Sequence, residues 1–99
     1  AFSLAGLRVL VAGASRGIGL AIARAAAAAG GDTTLAARSL DVLETEAAAL
    51  RKQGLSASAL ALDMEDPASL DAAAAHAPWD VLLNVSGTNI RKKFESYTD

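Results

Sequence analysis

Apolar positions along the chain come in short blocks, and the spacing between them alternates between two periods. Leu7 to Val11 is a short, near-continuous apolar run, the pattern of a parallel strand covered on both faces. From Gly17 to about Ala29 the period lengthens. Ile18, Ile22, Ala25 or Ala26, and Ala29 recur at helical spacing, and the alanines favour a helix that lies close on a sheet. Gly30-Gly31 is the expected stop. Thr33 to Ala37 reads as a second strand, with Arg38 at its end. Ser39 suits the N-cap of a second helix, and Asp41 suits the positive end of its dipole. Leu40, Leu43, Ala47 and Leu50 form the expected apolar stripe of that helix, which Gly54 ends.

Leu55 to Leu62 is the third expected strand, though its serines and alanines are poor strand formers. Asp66 and Pro67 read as the N-cap and first position of a third helix. That helix runs to about Ala75, and Pro78 prevents its continuation. Asp80 to Asn84 is a fourth strand built on Val81, Leu82 and Leu83, and Val85-Ser86-Gly87 is the turn after it.

Strands and helices that alternate in this way predict an α/β fold, a doubly wound parallel sheet with helices on both faces. Right-handed crossovers then favour strand order 3-2-1-4, with the switch point between the first and fourth strands. Ligands of such sheets bind beyond the carboxyl ends of the strands. The glycine turn after the first strand, Arg38, Asp63 and Asn84 all fall at those ends. From Thr88 the chain becomes polar and mixed in charge. The expected division is one alternating unit over 1–88 and the start of a following segment over 89–99.

With 99 residues the chain is one small domain at most. Its net charge of -2 argues against a general nucleic-acid surface, although a local basic residue can still bind a phosphate. There is no cysteine, which excludes disulfides, thiolate metal sites and a cysteine nucleophile, and fits a cytoplasmic location. Arg8, Arg16, Arg24 and Arg38 break up the apolar runs of the first part, so no membrane span is expected. Ala1-Phe2-Ser3-Leu4 lacks the basic region and apolar core of a signal peptide, and the missing initiator Met is expected from processing or trimming. His76 is the single histidine and has no second ligand near it, so no metal site is expected, and Trp79 suits a helix-to-strand corner.

The stretch Ala12-Gly13-Ala14-Ser15-Arg16-Gly17-Ile18-Gly19 carries the chemistry. Glycines at a strand-to-helix turn permit a tight turn, a close approach of phosphate to the main chain, and close packing of the helix. The bland alternative is a turn that needs glycine for backbone reasons only. Ser15 has two readings, a phosphate ligand or a cap of its own turn. Asp63 and Asn84 likewise read either as turn residues or as ligand contacts. Arg38 is either a solvated strand-end charge or a phosphate fork.

These residues together resemble the short-chain dehydrogenases/reductases. Phe2-x-Leu4-x-Gly6 before a strand is similar to that family's opening. The glycine stretch resembles its TGxxxGxG cofactor motif, with Ala12 in place of Thr. Leu62-Asp63-Met64 is similar to its aspartate beside the adenine, and Asn84-Val85-Ser86-Gly87 to its NNAG motif, from which Val85 and Ser86 depart. The resemblance covers essentially the whole chain. It implies a partial Rossmann-like sheet of four strands and three helices. The implied cofactor contacts are Gly13, Ser15, Arg16, Gly17, Ile18, Gly19, Arg38, Asp63, Met64, Asn84, Ser86 and Gly87. A carboxylate at the end of the second strand would hold the ribose hydroxyls of NAD. Here Ala36-Ala37-Arg38 has none, and Arg16 is the second basic residue, so the resemblance implies NADP over NAD.

The family's proton transfer needs a serine and a YxxxK pattern. Tyr97 has no lysine after it, and Lys52, Lys92 and Lys93 stand elsewhere, so no catalytic residue is assigned. The fourth strand would also leave an apolar edge from Val81 to Val85, a hazard for self-association. The leading expectation is therefore the NADP-binding half of a larger oxidoreductase acting on a carbonyl or alcohol. Thr88-Asn89-Ile90-Arg91-Lys92 is similar to loops of sugar-acid and 3-ketoacyl reductases, while the basic cluster Arg91-Lys92-Lys93 also reads as a solvated loop. The family implies a homo-oligomer, tetramer or dimer, with no nucleic-acid or membrane partner. The alternatives are a non-catalytic nucleotide-binding or sensor module and an inactive fragment.

Overall fold

The computed structural model describes residues 3–76 and 78–85. Its seven elements are β1 (Arg8–Ala12), α1 (Gly17–Ala28), β2 (Asp32–Ala37), α2 (Leu40–Lys52), β3 (Ala57–Ala61), α3 (Pro67–Ala75) and β4 (Val81–Asn84). The order is the one expected from the sequence, with strand bounds displaced by one or two residues. Val85 is described. Phe2, Ser86, Gly87, the Thr88–Lys92 loop, the basic cluster after Ile90, and Tyr97 lie outside the described residues.

The four strands form one parallel sheet in the order β3-β2-β1-β4. β1 is central, and its alternation explains its unbroken apolar character. Val9 and Val11 join the core beneath α1 and α2, whereas Leu10 and Ala12 face α3. All four are buried, so neither face tolerates a polar side chain. One core brings Ala23, Ala26 and Ala27 of α1 together with Leu43, Ala47 and Leu50 of α2. The other sets Leu70 and Ala73 of α3 against Leu10, Ala12, Ala36 and Leu62.

The helix boundaries follow the punctuation of the sequence. Beyond α1, Gly30 N–H donates to Ala27 C=O (2.9 Å) and Gly31 N–H to Ala26 C=O (3.1 Å), a paired closure of the last turn. Gly54 and Leu55 close α2 in the same way on Arg51 and Leu50. Asp66 caps α3, its carboxylate accepting from Ala68 N–H at 3.0 Å, with Pro67 at the first position.

Three local expectations are corrected. The buried face of α1 is Gly19, Ala23, Ala26 and Ala27, so Ile18 of the expected stripe points outward, and of Ala25 or Ala26 it is Ala26 that turns inward. A helix this apolar has almost no polar contrast to mark its faces, and the side with the smallest residues goes inward. In α2, Leu43, Ala47 and Leu50 are buried as expected, but Leu40 is exposed at the first turn. Ser39 stands at the N-cap of α2, yet its side chain makes no capping bond, because its backbone (φ -91, ψ 81) departs from the usual cap geometry.

The amino-terminal edge of the sheet is locked by Arg8. Its guanidinium donates to the carbonyls of His76 and of Pro78 (3.0 Å for the latter) and lies 4.6 Å from the ring centroid of Trp79. Its main chain exchanges bonds with Asp80, which accepts at its carboxylate (2.8 Å) and donates from its N–H (2.9 Å). Trp79 in turn donates from its indole N–H to Ala73 C=O at 3.3 Å. It fills the corner between α3 and β4 as expected, and His76 is the exposed C-cap of α3. β3 and β4 are the outer strands of the described sheet.

Candidate functional site

The carboxyl ends of β1, β2 and β3 meet at a shallow groove of about 320 Å³. Its geometry begins with the turn after β1. Gly13 takes a left-handed backbone (φ 84), which the tight reversal requires. Gly13 and Ala14 both donate to Ala36 C=O, at 2.8 and 3.2 Å, so the turn is pinned to the end of β2. Ser15 is half-buried, Arg16 is exposed and extended (φ -164, ψ 171), and Gly17 opens α1.

The start of α1 has no side-chain cap and no acidic residue in its first turn. Its ladder starts where Leu20 N–H donates to Arg16 C=O at 3.3 Å. The amides of Gly17, Ile18 and Gly19 precede that bond and point out of the helix end, where the macrodipole is positive. Gly19 is what lets this end sit so low. A Cβ there would lie 1.8 Å from Gly13 O, 2.7 Å from Gly13 C and 3.3 Å from Ala14 Cα. Ile18 is 72% exposed, an apolar surface beside the uncapped amides.

Ala12, Gly13, Ala36, Ala37, Arg38, Leu62, Asp63, Met64 and Glu65 line the groove. Of the residues singled out in the sequence, it gathers Gly13, Arg38, Asp63 and Met64. Ser15, Arg16, Gly17, Ile18 and Gly19 sit apart from it at the start of α1. Arg16 is exposed on the same turn as Gly13 but is not one of the residues lining that groove. Asn84 pairs with Ala12 across β4 and β1, and Val85 N–H donates to Ala12 C=O at 3.0 Å, which sets Asn84 beside the glycine turn but outside the groove. Ser86 and Gly87 lie outside the described residues.

Arg38 is exposed and forms no ion pair among the described residues. It stands between the groove and a second hollow of about 410 Å³, which Asp63, Asp66 and Ser69 also line. Asp63 is tied into its own turn. Its carboxylate accepts from Glu65 N–H (3.0 Å), its carbonyl from Asp66 N–H (3.0 Å), and its N–H donates to Ser69 Oγ (2.7 Å). Asp63 is thus a turn residue that also borders the groove. Sequence reasoning did not assign Ala36, Ala37, Leu62 and Glu65 to the site. Their signal was position alone, as neighbours of Arg38 and Asp63 at strand ends.

This arrangement offers outward amides for an anion, an apolar floor of Ala12, Ala36, Leu62 and Met64 for a flat ring, and one guanidinium for a further negative charge. Among the described residues, no group of three His, Asp or Glu is placed to hold a metal ion. Among them, too, no helix is long and apolar enough to cross a membrane.

Comparison with known proteins gives one consistent result. The family described as short chain dehydrogenase matches residues 8–99. The chain is 37% identical over 102 residues to gluconate 5-dehydrogenase of Gluconobacter oxydans, covering 98% of this chain and 40% of that protein. The L-sorbose reductase of Gluconobacter frateurii, solved with NADPH and L-sorbose, superposes with a TM-score of 0.78 at 32% identity, covering 88% of this chain and 35% of that one. A gluconate 5-dehydrogenase from Burkholderia cenocepacia, solved with NADP and tartrate, gives a TM-score of 0.73 at 32% identity, covering 82% of this chain and 34% of the other. The chain thus spans 40% or less of the length of these relatives.

Proposed function

The chain belongs to the short chain dehydrogenase family, and from that premise we propose that it forms the NADP(H)-binding part of an oxidoreductase acting on a carbonyl or alcohol. When bound, the nicotinamide supplies or accepts the hydride. What this chain contributes is binding and orientation. The observation that carries the reading is the end of β2, where Ala36, Ala37 and Arg38 border one groove and none is a carboxylate.

The donor set fits the group. The amides of Gly17, Ile18 and Gly19 take the diphosphate, with Gly13 holding the turn and Ser15 and Arg16 at its rim. Arg38 takes the ribose phosphate, for which a planar fork of donors is suited. Asp63 and Met64 border the adenine end, and exposed Ile18 offers an apolar surface to the nicotinamide ring. Asn84 flanks the glycine turn on the side of β4, and the same motif assigns Ser86 and Gly87. Support for NADP also comes from the relatives solved with NADPH or NADP. The names of the relatives point to a sugar acid or a 3-oxoacyl compound as the substrate class.

Fluorescence titration of the full native chain with NADPH and with NADH tests this. NADPH should bind at least about tenfold more tightly, and Arg38→Ala should remove most of that margin, the scale of a charge-assisted hydrogen bond. Equal affinity of the wild type for both nucleotides overturns the NADP assignment. Binding of neither overturns the whole reading.

A further inference from the structure

A side chain in the third position of a helix most often serves that helix's own end, reaching back towards the N-cap. In α3 the cap is Asp66, which accepts from Ala68 N–H at 3.0 Å. Ser69 reaches past that cap. Its hydroxyl accepts from Asp63 N–H at 2.7 Å and donates to Ala61 C=O at 3.3 Å. One hydroxyl thus bridges the last residue of β3 to the first residue of the turn that borders the groove, using both its donor and an acceptor site.

Between those two partners lies Leu62, which is buried and whose N–H donates to Ala37 C=O at 2.8 Å. Beyond them the turn closes through Asp66 N–H on Asp63 C=O and Glu65 N–H on the Asp63 carboxylate, both at 3.0 Å. The last two bonds fix the shape of the turn, and the first of them also joins it to Asp66, the N-cap of α3. The Ser69 bridge is different, because it ties the N–H of Asp63 to the body of α3 and, through the same hydroxyl, to the end of β3. Removing the hydroxyl leaves Leu62 held in the core by its bond to Ala37, while Asp63, Met64 and Glu65, one wall of the groove, lose that tie to the sheet.

We propose that Ser69 is a positioning residue for the adenosine end of the groove, acting through the main chain of Asp63. The proposal rests on the nucleotide reading above. It predicts a one-sided effect, since no bond of the Ser69 bridge reaches the start of α1. Ligands that use only the adenosine half should respond to the hydroxyl, and those that use only the nicotinamide half should not.

The test compares Ser69→Thr with Ser69→Val, which have nearly the same shape and differ in the hydroxyl, with Ser69→Ala as a smaller variant. The probes are adenosine 2′,5′-bisphosphate and reduced nicotinamide mononucleotide, each titrated by calorimetry against the full native chain. Loss of the bridge should weaken the bisphosphate about five- to tenfold in the Val and Ala variants, the range of a lost hydrogen bond, while Thr restores it. Affinity for the mononucleotide should be the same in all. Equal bisphosphate affinity for Thr and Val overturns the proposal, as does a parallel loss of both probes, which would mark a merely structural residue. A wild type that binds no bisphosphate instead overturns the nucleotide reading beneath it.

Discussion

Replacing Gly19 by alanine sets two effects of known sign against each other. In a helix interior alanine is favoured over glycine by about 1 kcal/mol. Against that, the new Cβ would stand 1.8 Å from Gly13 O and 2.7 Å from Gly13 C. The first contact is roughly 1.5 Å inside van der Waals distance. Both atoms belong to the backbone, so no rotamer change relieves the clash. Either α1 lifts from the sheet, opening the core around Ala23 and Ala26, or the Gly13 peptide rotates and strains the bonds from Gly13 and Ala14 to Ala36 C=O. Overpacking of this kind costs about 1–3 kcal/mol, often at the upper end when backbone must move. The expected net loss is about 2 kcal/mol, read as a lower urea midpoint with an unchanged slope. NADPH affinity should fall by at least about tenfold, because the amides it needs are displaced with the helix end. Gly17→Asn is the control. Nothing lies within 4 Å of a Cβ there, and asparagine visits the left-handed region that φ 59 requires. It should be much the milder change. A Gly19→Ala protein with the wild-type midpoint and wild-type NADPH affinity would refute the reasoning.

Two further outcomes are expected. Asp66→Ala removes the capping bond of α3 and should cost about 1 kcal/mol in urea unfolding. Arg8→Ala removes the bonds to the His76 and Pro78 carbonyls and the stacking on Trp79, for a loss of about 1–3 kcal/mol. Because Arg8 lies at the edge of the sheet opposite the groove, its NADPH affinity in the same titration should stay at the wild-type value.

The strand and helix order was legible because two periods alternate cleanly and glycine or proline marks nearly every boundary. The switch point followed from handed crossovers, and with it the placing of Gly13, Arg38, Asp63 and Asn84 at strand ends. What stayed hidden has physical reasons. The inward face of α1 is hard to read because alanine on nearly every side gives no contrast, and the apolar spacing includes Ile18, which is 72% exposed. Ser39 has the chemistry of a cap but not the backbone for one. The Arg8 lock joins residues 68 and 70 positions apart, and no local pattern announces such a pair. Ser69 is hidden for a different reason: its partners Ala61 and Asp63 are only 8 and 6 positions away, but both bonds are to main-chain atoms, which carry no residue signature.

The two ends of the sheet differ in how fully their polar groups are used, and that difference locates function. At the amino-terminal edge, Arg8, Trp79 and Asp80 satisfy one another across the junction of α3 and β4. At the carboxyl edge, α1 begins with no cap, Gly13 holds a left-handed turn, and Arg38 stands without an ion pair among the described residues. The amides and the guanidinium are left to solvent, so a ligand can take them without displacing a protein partner. An anionic ligand supplies acceptors for the amides and a partner for the guanidinium at once. Its binding should therefore raise the unfolding midpoint of the native chain with the logarithm of ligand concentration above the dissociation constant, as linkage requires. Sulfate can satisfy only one of those groups at a time, so a nucleotide bearing two phosphate sites should stabilise the chain at concentrations where sulfate does not.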